Sequence, residues 1–495
     1  MSSTPYADAL ARHAARDTVR LNVPGHAADP GAAPALVRYF GQDLLLKDVP
    51  PLLDGLDKGE DNPLAESLRL AAHAFGARRT WFLTNGASQA NRIAALALAG
   101  YRAALDPIVV QRSAHSSFAD GIVLGGLSPR FVQPSIDGWF GINHGVAPAR
   151  LEQSLAQLDS GVAPKGVYVI SPSYFGAVAD IAALAEIAHR AGAPLIVDAA
   201  WGAHFGFHEA LPENPLRLGA DLVVSSTHKL GGSLTQSAML HLGHGPFADE
   251  LEPLIDRAFA LEQSTSESSL LLASLDLARD ALQHGRDGIA AAVAAADDLR
   301  DRIRRGGRFR IVSDAFERFD DIHAADPLRV SIDVASGGVR GTHARELLMK
   351  EDGIFFEIAT ESCIVGVIAP GAVPDASRIV RALHDLPVDP GVARERDALS
   401  AMATLPEPGP LVLLPREAFF RPSETVALDD AIGRVSSAAI AAYPPGIPNV
   451  LPGEVITREV AEFLRHVAAT PGGFVRGAAD PALATLSVVR DASIG

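Results

Sequence analysis

The 495-residue sequence has a single cysteine, Cys363. This excludes an intrachain disulfide framework and any cysteine-rich metal site, and no metal ligand set is expected. It has neither a basic-then-apolar leader nor an apolar run long enough to cross a membrane, so a cytoplasmic protein without a membrane partner is expected. Low-complexity tracts, charged tails and internal repeats are also missing. Positive charge is scarce: 43 Lys and Arg stand against 59 Asp and Glu, a formal net charge of −16. That balance argues against nucleic acid as a partner and permits a cationic small molecule. What the chain does have is apolar content, 48% of residues, enough for a globular fold throughout and, at this length, for more than one domain.

Short apolar runs alternate with helical patterns. Strands are expected at 81–84, 108–110, 167–170, 194–197 and 222–224, with a returning strand at 237–242. Helices are expected at 6–16, 64–76, 85–98, 181–191, 270–282 and 290–304. Strands separated by helices at this spacing imply βαβ units, hence an α/β fold with a mainly parallel sheet and helices on both faces. Further strands are expected at 309–312, 328–332, 354–357 and 363–368, and prolines at 387–390 and 405–410 bracket a linker. The expected division is an arm over 1–62, a large domain over 63–286, a smaller α+β domain over 287–400 and a C-terminal module over 401–495.

The chemistry gathers around Ser225-Ser226-Thr227-His228-Lys229-Leu230-Gly231-Gly232. A lysine behind a short buried strand, flanked by hydroxyls and glycines, is placed to form a Schiff base with an aldehyde cofactor, and pyridoxal phosphate is the candidate. Ser226, Thr227 and His228 could hold its phosphate; a solvated loop lysine is the plain alternative. Asp198 ends the run Pro194-Leu195-Ile196-Val197, where a carboxylate would keep a pyridine nitrogen protonated, or would simply cap the next helix. Asn85-Gly86-Ala87-Ser88 opens an alanine-rich helix, which reads equally as an anion site and as a serine cap. His115 follows a strand end and could stack on a flat ring, or be a structural histidine. In parallel sheets ligands bind beyond the carboxyl ends of strands, and Ser88, His115, Ser173, Asp198 and Lys229 all fall there.

These motifs together resemble the bacterial Orn/Lys/Arg decarboxylase family, fold-type I enzymes of the aspartate-aminotransferase-like group that use pyridoxal 5'-phosphate. The likeness runs through Pro24-Gly25-His26, Thr84-Asn85-Gly86-Ala87-Ser88, His115, Ser171-Pro172-Ser173-Tyr174, residues 198–205 and Ser226-Thr227-His228-Lys229. It continues in Pro415-Arg416-Glu417-Ala418-Phe419, Tyr443-Pro444-Pro445-Gly446-Ile447-Pro448 and Pro452-Gly453-Glu454, which general aminotransferases do not carry. The resemblance implies that Lys229 binds the cofactor covalently, Asp198 pairs with its ring nitrogen, His115 stacks on one face and Ala200 packs on the other. It implies phosphate contacts from Gly86, Ala87, Ser88, Ser226 and His228, joined by Thr265 or Ser266 from a second subunit of a homodimer with shared active sites. It places Trp201 near the phenolic oxygen and Glu357 toward the distal cation of the substrate, with Ser173 and His204 also on the substrate side.

The implied reaction is decarboxylation of lysine, arginine or ornithine to cadaverine, agmatine or putrescine and CO2. Three departures from the family touch the substrate side. Asp198-Ala199-Ala200-Trp201-Gly202-Ala203-His204 stands where many members read Asp-Glu-Ala-His-Gly-Ala-His, Ala27 replaces a lysine after His26, and Glu60 and Asp61 alter the loop over 57–63. An aminotransferase or an oxygen-dependent oxidase would need the same Lys and Asp, and an arginine gripping the α-carboxylate would favour transamination. A catalytically silent homologue that only binds a basic amino acid is a more remote reading. The wing domain of the large inducible members has no room before Pro24, so a dimer is expected and a decamer is not.

Overall fold

Strands that are apolar on both faces need helices on each side of the sheet. In the computed structural model, residues 3–103, 106–159, 161–392, 405–443, 447–469, 474–478, 480 and 482–490 are described; Pro444-Pro445-Gly446 and the boundary expected at 400/401 lie outside them. After α1 (Pro5–Ala14) and α2 (Pro63–Phe75) come β1 (Arg79–Leu83), α3 (Gly86–Ala99), β2 (Pro107–Gln111), α4 (Ser116–Gly125), β3 (Ser128–Val132) and β4 (Val167–Ile170). Then follow α5 (Ile181–Arg190), β5 (Leu195–Asp198), β6 (Leu222–Ser225) and the returning β7 (Ala238–Leu242). These strands make one seven-stranded sheet in the order β1-β7-β6-β5-β4-β2-β3. All neighbours are parallel except β7, which is antiparallel to both β1 and β6.

Alternate residues of the same strands feed two apolar layers, as a period of two requires. Val167, Val169, Val197 and Val223 meet α2, α5 and α7 (Ser269–His284) on one face. Tyr168, Ile196, Leu222 and Val224 meet α3, α4 and α6 (Ala248–Glu262) on the other. The alanine content of α3 allows α4 to approach closely: a Cβ on Gly121 of α4 would lie 2.5 Å from Cβ of Ala95. This contact brings the start of α4, which carries His115, against Asn91 of α3.

Beyond α8 (Arg286–Gly306) lies a four-stranded antiparallel sheet, ordered β8-β9-β11-β10. Its strands are β8 (Arg310–Ile311), β9 (Arg329–Asp333), β10 (Ile358–Ala359) and β11 (Cys363–Val367), covered by α9 (Gly341–Asp352) and α10 (Ala376–Asp385). Two expected strands are corrected. The strand expected at 354–357 is absent because Gly353, at φ +63°, ends α9 and Ile354 N–H bonds back to Leu348 O. Pairing with β11 starts only at Glu357 N–H, bonded to Val365 O. The strand at 309–312 is reduced to two residues, because Val312 opens a 3-10 turn.

The C-terminal part pairs β12 (Ser423–Ala427) with β16 (Thr485–Val489) and sets β13 (Ile440–Tyr443) between β14 (Pro448–Val450) and β15 (Phe474–Arg476), packed on α11 (Arg458–Ala469). Among the described residues a buried ion pair ties it to the large sheet. Arg112, at the end of β2, is bidentate to Glu454, with Nη2 2.7 Å from Oε2, and it also donates to the carbonyls of Pro448 and Asn449. Both side chains are almost fully buried. Removing one partner strands the other charge, so Glu454→Gln is expected to cost about 3–5 kcal/mol in denaturant unfolding. The paired change Arg112→Met with Glu454→Met is expected to cost less.

Candidate active site

Because β1, β2, β4, β5 and β6 run parallel, their carboxyl ends share one edge, and Ser88, His115, Ser173, Asp198 and Lys229 follow those ends. Asp198 is the last residue of β5 and is buried. Its Oδ2 accepts from Asn91 Nδ2 at 3.0 Å and from the Tyr168 hydroxyl at 2.7 Å, and its Oδ1 accepts from the Ala200 N–H at 3.0 Å. Burial, reinforced by Asp198, pushes the Tyr168 phenol far up, so it stays a donor. Asn91 Nδ2 also lies 3.1 Å from Ser117 Oγ, which is 2.8 Å from His115 Nδ1. A continuous polar chain therefore runs from the imidazole to the carboxylate. His115 Nδ1 also accepts from the Ser117 N–H at 3.3 Å, which leaves the proton of a neutral ring on Nε2. Surrounding protein lowers the His115 pKa, as do Lys229 and Arg476, against the pull of Asp198 and Asp120.

Lys229 lies in the short helix Thr227–Leu230 that follows β6. Among the described residues its amine makes no hydrogen bond or ion pair; it rests 3.9 Å from the centroid of the Trp201 ring. Burial lowers its pKa from 10.5 to about 8, a shift opposed by Asp198 and Glu357 and aided by Arg329. Glu357 is exposed, yet it acts electrostatically on Lys229, His228 and Arg329, which puts it at the same mouth. His228 is held below its ordinary value by burial and by Lys229.

At the start of α3 no side chain caps the helix, and among the described residues the amides of Ala87 and Ser88 and the Ser88 hydroxyl have no partner. Gly86 adopts φ +72°, a conformation that suits glycine. Ser226 is buried, and among the described residues the Thr227 hydroxyl and the Trp201 indole N–H are buried without hydrogen-bond partners. Other sequence candidates have different commitments. Ser173 Oγ accepts from the amides of Phe175 and Ala177 in its own loop, and His204 Nε2 is 3.0 Å from Asp326 Oδ1, both fully buried. Thr265 and Ser266 are exposed on the turn between α6 and α7.

Sequence reasoning missed Asn91, Tyr168, Ser117, Asp326 and Arg329. A signal existed for three of them: Asn91 interrupts the alanine face of α3, Tyr168 is the one polar tip in β4, and Arg329 sets a charge between the apolar Leu328 and Val330.

Residues 4–373 match the family described as Orn/Lys/Arg decarboxylase, major domain, and residues 402–474 match its C-terminal domain. The chain belongs to the Orn/Lys/Arg decarboxylase family. It is 33% identical to an arginine decarboxylase of Bacillus subtilis, with 99% of this chain and 98% of that protein aligned. To an arginine decarboxylase of Bacillus anthracis it is 32% identical, over 99% of this chain and 97% of that one. Solved structures share its fold. The lysine decarboxylase A of Pseudomonas aeruginosa superposes at a TM-score of 0.81 with 22% identity, over 98% of this chain and 80% of that one. A serine palmitoyltransferase of Sphingomonas wittichii superposes at 0.52 with 16% identity, over 80% of this chain and 86% of that one.

Proposed function

We propose that the protein decarboxylates a basic amino acid, lysine, arginine or ornithine, to the corresponding amine and CO2 with pyridoxal phosphate as cofactor. The observation that carries this reading is the unpaired, half-buried Lys229 amine beside an anchored Asp198 carboxylate, in a chain that matches the family along nearly its whole length.

The residues fit the cofactor. Lys229, partly deprotonated near neutrality, would hold it covalently; the open amides of Ala87 and Ser88 at Gly86, with Ser226 and His228, would take its phosphate. His115 would stack on one face of its ring and Ala200 would pack on the other. The buried, acceptor-less indole N–H of Trp201 would donate to its phenolic oxygen. When bound, the cofactor supplies an electron sink that takes up the pair left at Cα as the carboxylate departs as CO2. Asp198 keeps a proton at the ring nitrogen, and Asn91, Tyr168 and the Ala200 amide keep Asp198 in place. A proton must replace the lost carboxylate at Cα, and the Lys229 amine, with a pKa of about 8, can both give and take one near neutral pH.

Glu357 would meet the distal cation of the substrate, a role its pull on Lys229 and Arg329 supports. Ser173 and His204 would shape the substrate side from behind. We further propose a homodimer in which Thr265 or Ser266 of a second copy completes the phosphate site. Exposed Val19, Leu21, Tyr39 and Phe40 on the N-terminal arm support an interface there. In this reading the arm spans 1–62, the cofactor-binding domain 63–286, the smaller domain 287–400 and the C-terminal domain 401–495. A cytoplasmic location accords with a lone reduced cysteine, buried Cys363.

The test is incubation of the cofactor-loaded protein with lysine, arginine and ornithine, with and without oxygen, reading CO2 and product mass together. Equal amounts of amine and CO2 under both conditions are expected. A keto product, or activity lost without oxygen, would move the assignment to transamination or oxidation.

A further inference from the structure

Arg112 stands three residues before His115, in the turn that leads from β2 into α4. The Ala114 N–H closes that turn on Gln111 O at 2.9 Å, so a shift of Arg112 carries His115 with it. The Arg112 side chain is 1% exposed, and every nitrogen of its guanidinium donates to the C-terminal module. Nε donates to Pro448 O at 2.9 Å and Nη2 to Asn449 O at 3.2 Å, while both Nη atoms donate to the Glu454 carboxylate. The Leu451 N–H fixes Glu454 in turn, 2.8 Å from Oε2. A bidentate guanidinium–carboxylate pair fixes direction as well as distance. Glu454 ends Pro452-Gly453-Glu454, one of the motifs that general aminotransferases lack. Gly453 adopts φ +93°, and a Cβ there would strike Leu413 O, so the turn that aims Glu454 needs glycine.

The module also holds the other end of α4. Arg416, in the short helix Pro415–Phe420, donates from Nη1 to Leu124 O at 2.6 Å, one of the carbonyls that the last turn of a helix leaves open. Its stem lies against the closing Gly126, at φ +64°, where a Cβ would sit 3.3 Å from Arg416 Cδ. Between these ends little locks α4 to α3. Phe118 stacks on Tyr168 in the first turn, but Gly121 and Gly125 then lie flat on Ala95 and Ala99, and surfaces without side-chain ridges resist sliding weakly. Burial first, with the charges of Lys229 and Arg476 behind it, lowers the His115 pKa, so β15 of the module stands within electrostatic reach of the imidazole.

We propose that the C-terminal module positions His115 over the cofactor ring, with Glu454 and Arg112 holding the front of α4 and Arg416 holding its last turn. This rests on the reading of His115 as the residue that stacks on pyridoxal phosphate. Arg112, Glu454 and Arg416 act through the helix and are positioning residues. Stacked rings attract only at contact distance and in a narrow range of geometries, so a small displacement of α4 weakens the contact. The linkage is reciprocal: a cofactor that stacks on His115 steadies the module in return, and amide exchange over 448–455 is expected to slow when pyridoxal phosphate binds.

The test compares the full chain with its Glu454→Gln, Arg416→Ala, Arg416→Lys and Leu464→Ala variants. Leu464 is buried in the module's own core on α11, so Leu464→Ala loosens the module without touching α4. Titration of each apoprotein with pyridoxal phosphate gives the affinity, visible circular dichroism reads the surroundings of the bound ring, and amide exchange over 115–125 reads the helix before the cofactor is added. Glu454→Gln is expected to lose about 10-fold or more in affinity and Arg416→Ala about three- to tenfold, each with a weaker dichroic band and faster exchange. Arg416→Lys, which keeps a donor for Leu124 O, is expected to restore most of the loss. Leu464→Ala is expected to hold the affinity within about twofold. If Glu454→Gln fails to fold, the exposed Arg416 carries the test. Unchanged affinity and exchange in Glu454→Gln and Arg416→Ala, or an equal loss in Leu464→Ala, would overturn the role. If the wild-type apoprotein takes up no pyridoxal phosphate, the cofactor reading falls, while exchange over 115–125 still decides whether the module holds the helix.

Discussion

In Lys229→Ala, turnover is expected to fall by more than about a thousandfold, and the visible band of covalently held pyridoxal phosphate is expected to vanish, while the fold and the thermal midpoint stay close to wild type. The side chain has no hydrogen bond or ion pair among the described residues, so its loss strands no partner. The reactive amine has no substitute nearby, and losing a covalent nucleophile is among the largest single effects on an enzyme. The same group sets a pH profile. Burial disfavours the ammonium form, so the amine becomes neutral around pH 8 where an exposed lysine would need about 10.5. Capture of pyridoxal phosphate by the apoprotein is therefore expected to speed up through pH 8 and level off above it. A rate that keeps climbing to pH 10 in rapid-mixing measurements would mean that the amine is not desolvated. A Lys229→Ala protein that retains the band would remove Lys229 from the site.

Asp198→Asn is expected to lower kcat by about a hundred- to ten-thousandfold with the cofactor still bound. The carboxylate is surrounded by donors alone, from Asn91, Tyr168 and the Ala200 amide. An amide NH2 placed among them either faces another donor or turns its oxygen away from the ring nitrogen. In both cases the proton that makes the ring an electron acceptor loses its counter-charge. Tyr168→Phe removes one of the donors and leaves the carboxylate, and about a tenfold loss is expected. Steady-state kinetics with matched cofactor occupancy check both. If Asp198→Asn matched Tyr168→Phe, the carboxylate would be structural only.

The parallel sheet was legible in advance because β4, β5 and β6 are short apolar runs separated by helical patterns, and period and length suffice to name such elements. The sites at strand ends followed from the same pattern, since parallel strands must present their carboxyl ends to one edge. The strand expected at 354–357 was not legible. Ile354, Phe355 and Phe356 read as a strand by composition, but the turn closing α9 at Gly353 takes them out of the ladder.

The sequence by itself determined which side chains are the candidates for the chemistry, Lys229, Asp198 and His115 among them, because motif residues lie in local order along single strand-to-helix turns. The tertiary structure alone decided what surrounds them. Asn91 and Tyr168 lie 107 and 30 residues from Asp198, Arg329 lies 128 from Trp201, and Glu454 lies 342 from Arg112. Burial and charge at Lys229 are sums over neighbours that only packing brings together, and no local pattern contains those distances.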